Sequence, residues 1–493
     1  MIFRSLFLFE VLRLVRSPVP WGAAALCLGL RLIATWQWLP DLSVEPTSTS
    51  GAMLLMAVAM MLTANLATSR DTRGGLPETF GALPGHAAER TKAATWAAVL
   101  VGAGLALSVM TGYLLARSAM GPVAGVFDPY EALGGVLAVP FASALGAMLG
   151  RWTPGLVAVP VAAFLIGAFT WLNGQQSGYG SWFLPVVLFH GPDWPQRPSA
   201  SHVVYLLAAV VLFAALALLR HGARPVRLVM ALAAAAVAVP TGAAATAVAP
   251  GEEINRRFET AQRNPAALLD DMDARVRERY FGPDARRCEK HGAVTYCAFR
   301  DYVAWIPSWV AAVNPVAQAL PPAERARLPA VRQVTDSWSD ADGDQRPSIR
   351  THLMWGRAGA EDTYRAVLAA QLIRPVLGLR PPPAGCDLHG RSRALVGLWL
   401  LGQAVAPTPP EDREIQIGSS LFEPVQSPLG MLRYGTAELG YARRLLAMPE
   451  ARQRIWTHWD TLLKPGTTLE QALPLLGLRP EFAAEPTRGR PCS

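Results

Sequence analysis

SRDTRGGLPETFGALPGHAAERTK, residues 69–92, separates two long apolar segments, and the side of the membrane it occupies decides how the rest of the chain is threaded. It carries four basic residues (Arg70, Arg73, Arg90, Lys92) and three acidic ones (Asp71, Glu78, Glu89). Between the prolines, Leu76, Phe80 and Leu83 fall at i, i+4 and i+7, one face of a helix about two turns long. Pro77 suits the first turn of that helix and Pro84 ends it. The stretch can serve as a solvated turn, but an apolar face in a charged loop calls for a groove on a partner.

On either side of this loop, seven segments have the length and apolarity of membrane spans: about 19–39, 51–68, 93–115, 132–150, 154–172, 203–219 and 227–249. The last is rich in Ala and Val and contains Pro240; small residues suit close packing against other spans. With the N-terminus inside, the cytoplasmic loops hold eleven basic residues: Arg4, Arg13, Arg16, Arg70, Arg73, Arg90, Lys92, Arg151, Arg220, Arg224 and Arg227. The outer loops then hold only Arg117 and Arg197, beside Asp41, Glu45, Asp128, Glu131 and Asp193. The positive-inside bias therefore puts loop 69–92 in the cytoplasm. Seven crossings put everything after residue 250 outside.

Three regions follow: 1–18, an amphipathic interfacial helix; 19–250, the transmembrane domain; and 251–493, an extracytoplasmic domain. In MIFRSLFLFEVLRLVRSP, Ser5, Glu10, Arg13, Arg16 and Ser17 share one side of a helical wheel, with Ile2, Leu6, Phe9 and Leu12 mostly opposite. It lacks a cleavage site and runs directly into a span, so it is not a signal peptide; the alternative is an extended start to span one. Before the last span, RHGARPVR has an internal-signal look, but Pro250 argues against cleavage after Ala249.

The cysteines support the same threading. Cys27 lies in the first span, as a small apolar residue, whereas Cys288, Cys297, Cys386 and Cys492 all fall in the exported region. Three connectivities are open, and free thiols are a further alternative. Cys288–Cys297 across a His-Gly turn, with Cys386–Cys492 tying down the chain's end, is the pairing expected.

Charge and motifs exclude several classes. Residues 1–250 carry 14 Lys+Arg and 9 Asp+Glu, and residues 251–493 carry 31 and 28, so neither half has the basic stripe of a nucleic-acid binder. A P-loop needs Gly-Lys-Ser/Thr, and Lys92, Lys290 and Lys464 follow Thr, Glu and Leu. His291, His352, His389 and His458 begin no H-E-x-x-H arrangement, and no G-x-S-x-G is present. Asp270, Asp271 and Asp273 lack the further oxygens of an EF-hand loop, so a solvated face is expected there. Trp305 and Trp309, at helical spacing around Pro307, read as core. No enzyme activity, catalytic residue, metal or cofactor is expected.

Arg31, about two-thirds through the first span, is the one intramembrane polar site singled out. It either snorkels outward toward Trp36, Trp38 and Asp41, or lines a polar path.

An amphipathic segment, two spans, and a loop of the form R-D-x(n)-G-x-x-E-x(n)-L-P-x(n)-E-R-x-K resemble the ABC-2-type transporter permeases, in particular an actinobacterial type with an extra C-terminal extracytoplasmic domain. The matching positions are Arg70, Gly75, Glu78, Leu83, Pro84 and Arg90, with residues 2–17 as the family's elbow helix. ALGAMLGRWTPGLVAVPVAAF, with Arg151 at its turn, resembles the junction between the family's fourth and fifth spans. SGYGSWFLPVVLFHGPDW resembles a re-entrant piece, and its aromatics equally suit an interfacial loop. The resemblance covers about 1–220 and departs at the seventh span and the exported domain. It implies a permease-like subunit without catalysis of its own, working as a homodimer or with a related permease in the lipid bilayer. A separate P-loop ATPase would dock on a coupling helix in loop 69–92, through Arg70, Leu76, Glu78, Phe80, Leu83 and Arg90. The alternatives are an ATPase-independent anchor whose exported domain binds a ligand or partner, or a degenerate extracellular peptidase.

In the exported region, helical periodicity covers 252–281, 307–319, 361–378, 391–406, 428–446 and 449–463, with strands near 293–300 and 347–356. Proline-rich breaks at 320–330, 381–386 and 407–410 punctuate it. A mostly helical α+β domain is therefore expected beside a polytopic helical membrane region.

Overall fold

A computed structural model describes residues 2–73, 87–153, 155, 157–175, 199–247, 274–335, 348–353, 355–357, 360–379, 386–408, 429, 432–483 and 490–492. The chain divides into two compact units: Met1–Trp36 with Pro40–Asp273, and Gln37–Leu39 with Ala274–Ser493.

The first unit contains α1 (Ile2–Arg16), α2 (Pro18–Thr35), α3 (Glu45–Thr68), a four-residue turn α4 (Arg70–Arg73), and α5 (Ala87–Ala119). It continues with α6 (Pro129–Trp152), α7 (Ala158–Gln175), α8 (Ser199–Leu219) and α9 (Pro225–Ala247). The extended backbone of Ser17 (φ −75°, ψ 132°) separates α1 from α2, so the N-terminal segment is a helix of its own. Phe9 and Leu12 on its apolar side are exposed, as an interfacial helix requires.

Among the described residues six helices, α2, α3, α5, α6, α8 and α9, are long and apolar enough to cross a membrane. Of the expected span 154–172 only Ala158–Leu172 is an apolar helix, and it covers only about 22 Å at 1.5 Å per residue. Several spans also run further than hydropathy suggests. α3 starts at Glu45 rather than 51 because Glu45, Thr47, Thr49 and Ser50 are buried against neighbouring helices instead of facing water. The first span, conversely, ends at Thr35 rather than 39.

α6 is the most enclosed span, with 78% of its apolar window buried against 22% for α2, which makes α6 the centre of the bundle. Its glycines allow backbone to meet backbone. A Cβ on Gly146 would lie 2.1 Å from the Met61 carbonyl oxygen, and one on Gly150, a turn later, 2.4 Å from Thr68 Oγ1. The Thr68 hydroxyl then reaches across to the Ala147 carbonyl at 3.3 Å. Small residues at a helix crossing substitute packing for the hydrophobic drive that lipid removes. At the end of the bundle opposite loop 69–92, Leu42 N–H donates to Ala124 O (2.8 Å) and Ala124 N–H to Pro40 O (3.1 Å), joining two connections. Gly125 there has φ +79°, with Asp41 Oδ1 only 2.2 Å from where a Cβ would sit.

The second unit is built on a four-stranded sheet in the order β1 (Arg286–His291), β2 (Val294–Phe299), β3 (Ala330–Val334), β4 (Ser348–His352). β1 and β2 are antiparallel, whereas β2–β3 and β3–β4 are parallel. The hairpin turns at Gly292-Ala293, with Gly292 at φ +64°, so His291 ends the strand rather than entering the expected His-Gly turn. Beside the sheet come α10 (Ala274–Phe281), α11 (Ile306–Ala319) and α12 (Glu361–Val376). Then follow β5 (Cys386–Asp387), α13 (Ser392–Leu401), β6 (Leu432–Arg433), α14 (Thr436–Ala447), α15 (Ala451–Thr457) and α16 (Leu469–Leu475). Trp305 and Trp309 are fully buried, as expected, and Pro307 sits in the first turn of α11. Asp270, Asp271 and Asp273 lie outside the described residues.

Both expected disulfides are present. Cys288 and Cys297 face each other across the hairpin, and Cys386–Cys492 closes a separation of 106 residues, holding the tail where Asp387 bridges Pro491. Replacing Cys386 and Cys492 together by Ser should cost about 2–5 kcal/mol in chemical unfolding, more than the same change at the nine-residue bridge. Gly146→Val should leave little folded protein in detergent, because the overlap is with backbone rather than a movable side chain; wild-type elution on size exclusion would contradict the packing described.

Candidate functional sites

Two groups of charged side chains in the first unit stand out, one at each end of α3. At its start, Glu45 meets Tyr113 and Arg117, which share a face of α5 through their i, i+4 spacing. Arg117 Nε donates to Glu45 Oε1 (2.9 Å) and Nη1 to the Thr35 carbonyl (2.8 Å), capping the end of α2. The Tyr113 hydroxyl donates to Glu45 Oε2 and lies 3.1 Å from Thr35 Oγ1. Arg31 stands at the edge, 4.0 Å from Glu45 Oε2, its guanidinium carbon 5.4 Å from the Tyr113 ring centroid.

Tyr113 and Arg117 are 0% exposed and Glu45 3%, so the centre of this group is closed and ties α2, α3 and α5 together. Arg31 touches the closed pair rather than standing apart in the span. Arg117, read from the sequence as an outer-loop charge, is in fact inside α5, where pairing with Glu45 offsets the desolvation of both.

At the other end, the start of loop 69–92 is held twice. Arg70 Nη2 lies 3.3 and 3.4 Å from the two Glu10 oxygens on α1, and Arg13 lies 3.3 Å from the same carboxylate. Burial pushes the Glu10 carboxyl up, with Arg70 opposing. Arg70 is largely exposed, so this contact is weak. Asp71 is held more firmly: Arg151 Nη1, in the last turn of α6, donates to both its oxygens at 2.8 and 2.9 Å, and both side chains are largely buried.

Beside them, Trp152 Nε1 donates to Leu216 O (2.9 Å), and His221 Nε2 lies 2.9 Å from the Thr91 hydroxyl on α5. Arg227 Nη1 gathers the carbonyls of Leu218, His221 and Gly222, each at 3.2 Å, capping α8. Burial first, then the charges of Arg151 and Arg227, lower the His221 pKa to about 4, so the ring is neutral near pH 7. Lys92 lies 4.6 Å from the Phe3 ring, joining α1 to α5.

Of the expected coupling residues, Arg70 belongs to this joint and Arg90 lies half-buried in the first turn of α5. Leu76, Glu78, Phe80 and Leu83, with Gly75 and Pro84, fall outside the described residues. The sequence did not single out Glu10, Asp71 or Tyr113 as site residues, nor His221, because their partners lie tens of residues away.

In the second unit, His291 lies 3.1 Å from Glu289, and the His389 ring faces buried Asp387. Among the described residues no group of three His, Cys, Asp or Glu is placed to hold a metal ion.

Arg117→Ala should strand the Glu45 charge and cost about 3–5 kcal/mol in thermal or denaturant unfolding, with Arg31→Ala costing clearly less. Equal costs would show that Arg31 is as integral as Arg117. At the other end, the unfolded chain binds a proton at His221 that the folded chain refuses, so stability falls as pH drops from about 6.5 toward 4. His221→Gln should lose less stability than wild type across that window; parallel curves would contradict the assignment.

The chain matches no protein-family model, no curated protein and no solved structure.

Proposed function

We propose that this protein is the membrane-spanning, permease-like subunit of an ABC-type transporter, driven by a separate ATPase that acts on cytoplasmic loop 69–92. The observation that carries the reading is the Asp71–Arg151 ion pair at the loop's start. A push on the loop reaches α3 directly through Ser69 and α6 through Arg151, the two helices packed backbone against backbone. The Glu10–Arg70 contact adds the interfacial helix to the same joint.

In this reading the Leu76, Phe80 and Leu83 face docks in a groove of the ATPase, and Glu78 and Arg90 flank it. Two copies, or one copy with a related permease, form the path. α7 completes seven crossings with the bilayer thinned locally around its short apolar stretch. The second unit is then extracytoplasmic, the compartment in which its two disulfides persist.

Affinity purification from the native host with an ATP hydrolysis assay tests this. Wild type should bring down ATPase activity, and Phe80→Asp should reduce it about tenfold or more without loss of the membrane protein itself. No copurifying activity, with Phe80→Asp indistinguishable from wild type, would sink the reading.

A further inference from the structure

The second unit contains a cation that its own fold leaves unanswered. Arg393, second residue of the ten-residue helix α13, is 2% exposed. Its Nε and Nη2 have no hydrogen-bond partner among the described residues. A guanidinium withdrawn from water without a partner is costly, and burial followed by the like charge of Arg391 lowers its pKa.

The two unanswered groups are not a random pair. Nε–H and Nη2–H point in parallel from one edge of the planar guanidinium, the fork that grips the two oxygens of a carboxylate or phosphate. Arg393 is the second residue of α13, in the turn that carries the positive end of the helix dipole. That end has no side-chain cap from Arg391, although the Ser392 N–H donates to the Thr467 carbonyl (3.2 Å), and Gly390 just before it, at φ +68°, has open space where a Cβ would be. Among the described residues, the carboxylates bonded around Gly390 are committed elsewhere: Glu438 accepts from the Gly390 and Gly435 N–H groups, and Asp387 accepts from the His389 N–H.

We propose that the N-terminal end of α13 binds an oxyanion group, phosphate or carboxylate, on the Nε/Nη2 edge of Arg393. The inference is independent of the transporter reading.

The test is thermal unfolding of the full-length protein in detergent, with sodium phosphate or sodium acetate added against sodium chloride at matched ionic strength. Phosphate at about ten times its Kd should raise the wild-type Tm by about 2–4 °C. A rise with both anions supports a general oxyanion site, and a rise with phosphate alone a phosphoryl site. Arg393→Met should abolish the rise while being no less stable in chloride, since an apolar side chain removes the stranded charge. Should Arg393→Met fail to fold, Arg393→Lys keeps the charge but loses the fork, and the phosphate concentration for half the shift should increase about tenfold. The proposal is overturned if neither anion shifts wild type beyond chloride, if Arg393→Met shifts equally, or if Arg393→Lys leaves that concentration unchanged.

Discussion

Each helix that crosses a bilayer carries the chain to the opposite side, so the compartment of every later residue depends on the number of crossings. Among the described residues six helices meet the length and apolarity of a span, and a seventh, α7, has 15 apolar-helix residues, Ala158–Leu172. In the proposed function, arginine placement sets the first loop inside. From that start, seven crossings deliver the four paired cysteines to an oxidising compartment and six leave them in a reducing one. The disulfides Cys288–Cys297 and Cys386–Cys492 are the physical reason to favour seven in the proposed function.

Within the membrane unit, charge is placed at the two ends of α3 and is paired at both. Glu45 at one end is shut in with Arg117 and Tyr113, and Asp71 beyond the other end is held by Arg151. Between these ends, α3 and α6 approach so closely at Gly146 and Gly150 that a Cβ at either position would overlap α3. A helix pair fixed by packing and tethered at both ends behaves as one body. This rigidity is what would let a force on loop 69–92 reach the far end of the bundle, where Glu45, Thr35 and Arg117 join α2 and α5 to the same pair.

Much of this architecture was legible in the sequence, and the parts that were not have specific causes. Apolar runs located the helices, but not the start of α3, because Thr47, Thr49 and Ser50 look like loop until their neighbours are known. In the second unit, β2 and β4 were found, whereas β1 was not: RRCEKH is polar apart from Cys288 and is a strand because it pairs with β2 along its whole length. β3 was missed because it starts at Ala330, where the proline-rich break read over 320–330 ends, and no strand was expected after it. The disulfides were found because the region after residue 250 offers only four cysteines and one close pair. Arg31 was recognised by its depth in a span, but its neighbour Glu45 lies in the next helix, and Arg117, which holds Glu45, is a further 72 residues along the chain. Arg393 carried no sequence signal, because an arginine at a helix start ordinarily faces water.

The most direct check on this account is a pair of C-terminal fusions in intact cells, one to alkaline phosphatase and one to green fluorescent protein. Active phosphatase with a dark fluorescent fusion is the outcome the account predicts, with α7 crossing and the cysteine-bearing unit outside. A bright fluorescent fusion with inactive phosphatase would contradict it, and with it the compartment assigned to every residue after α7.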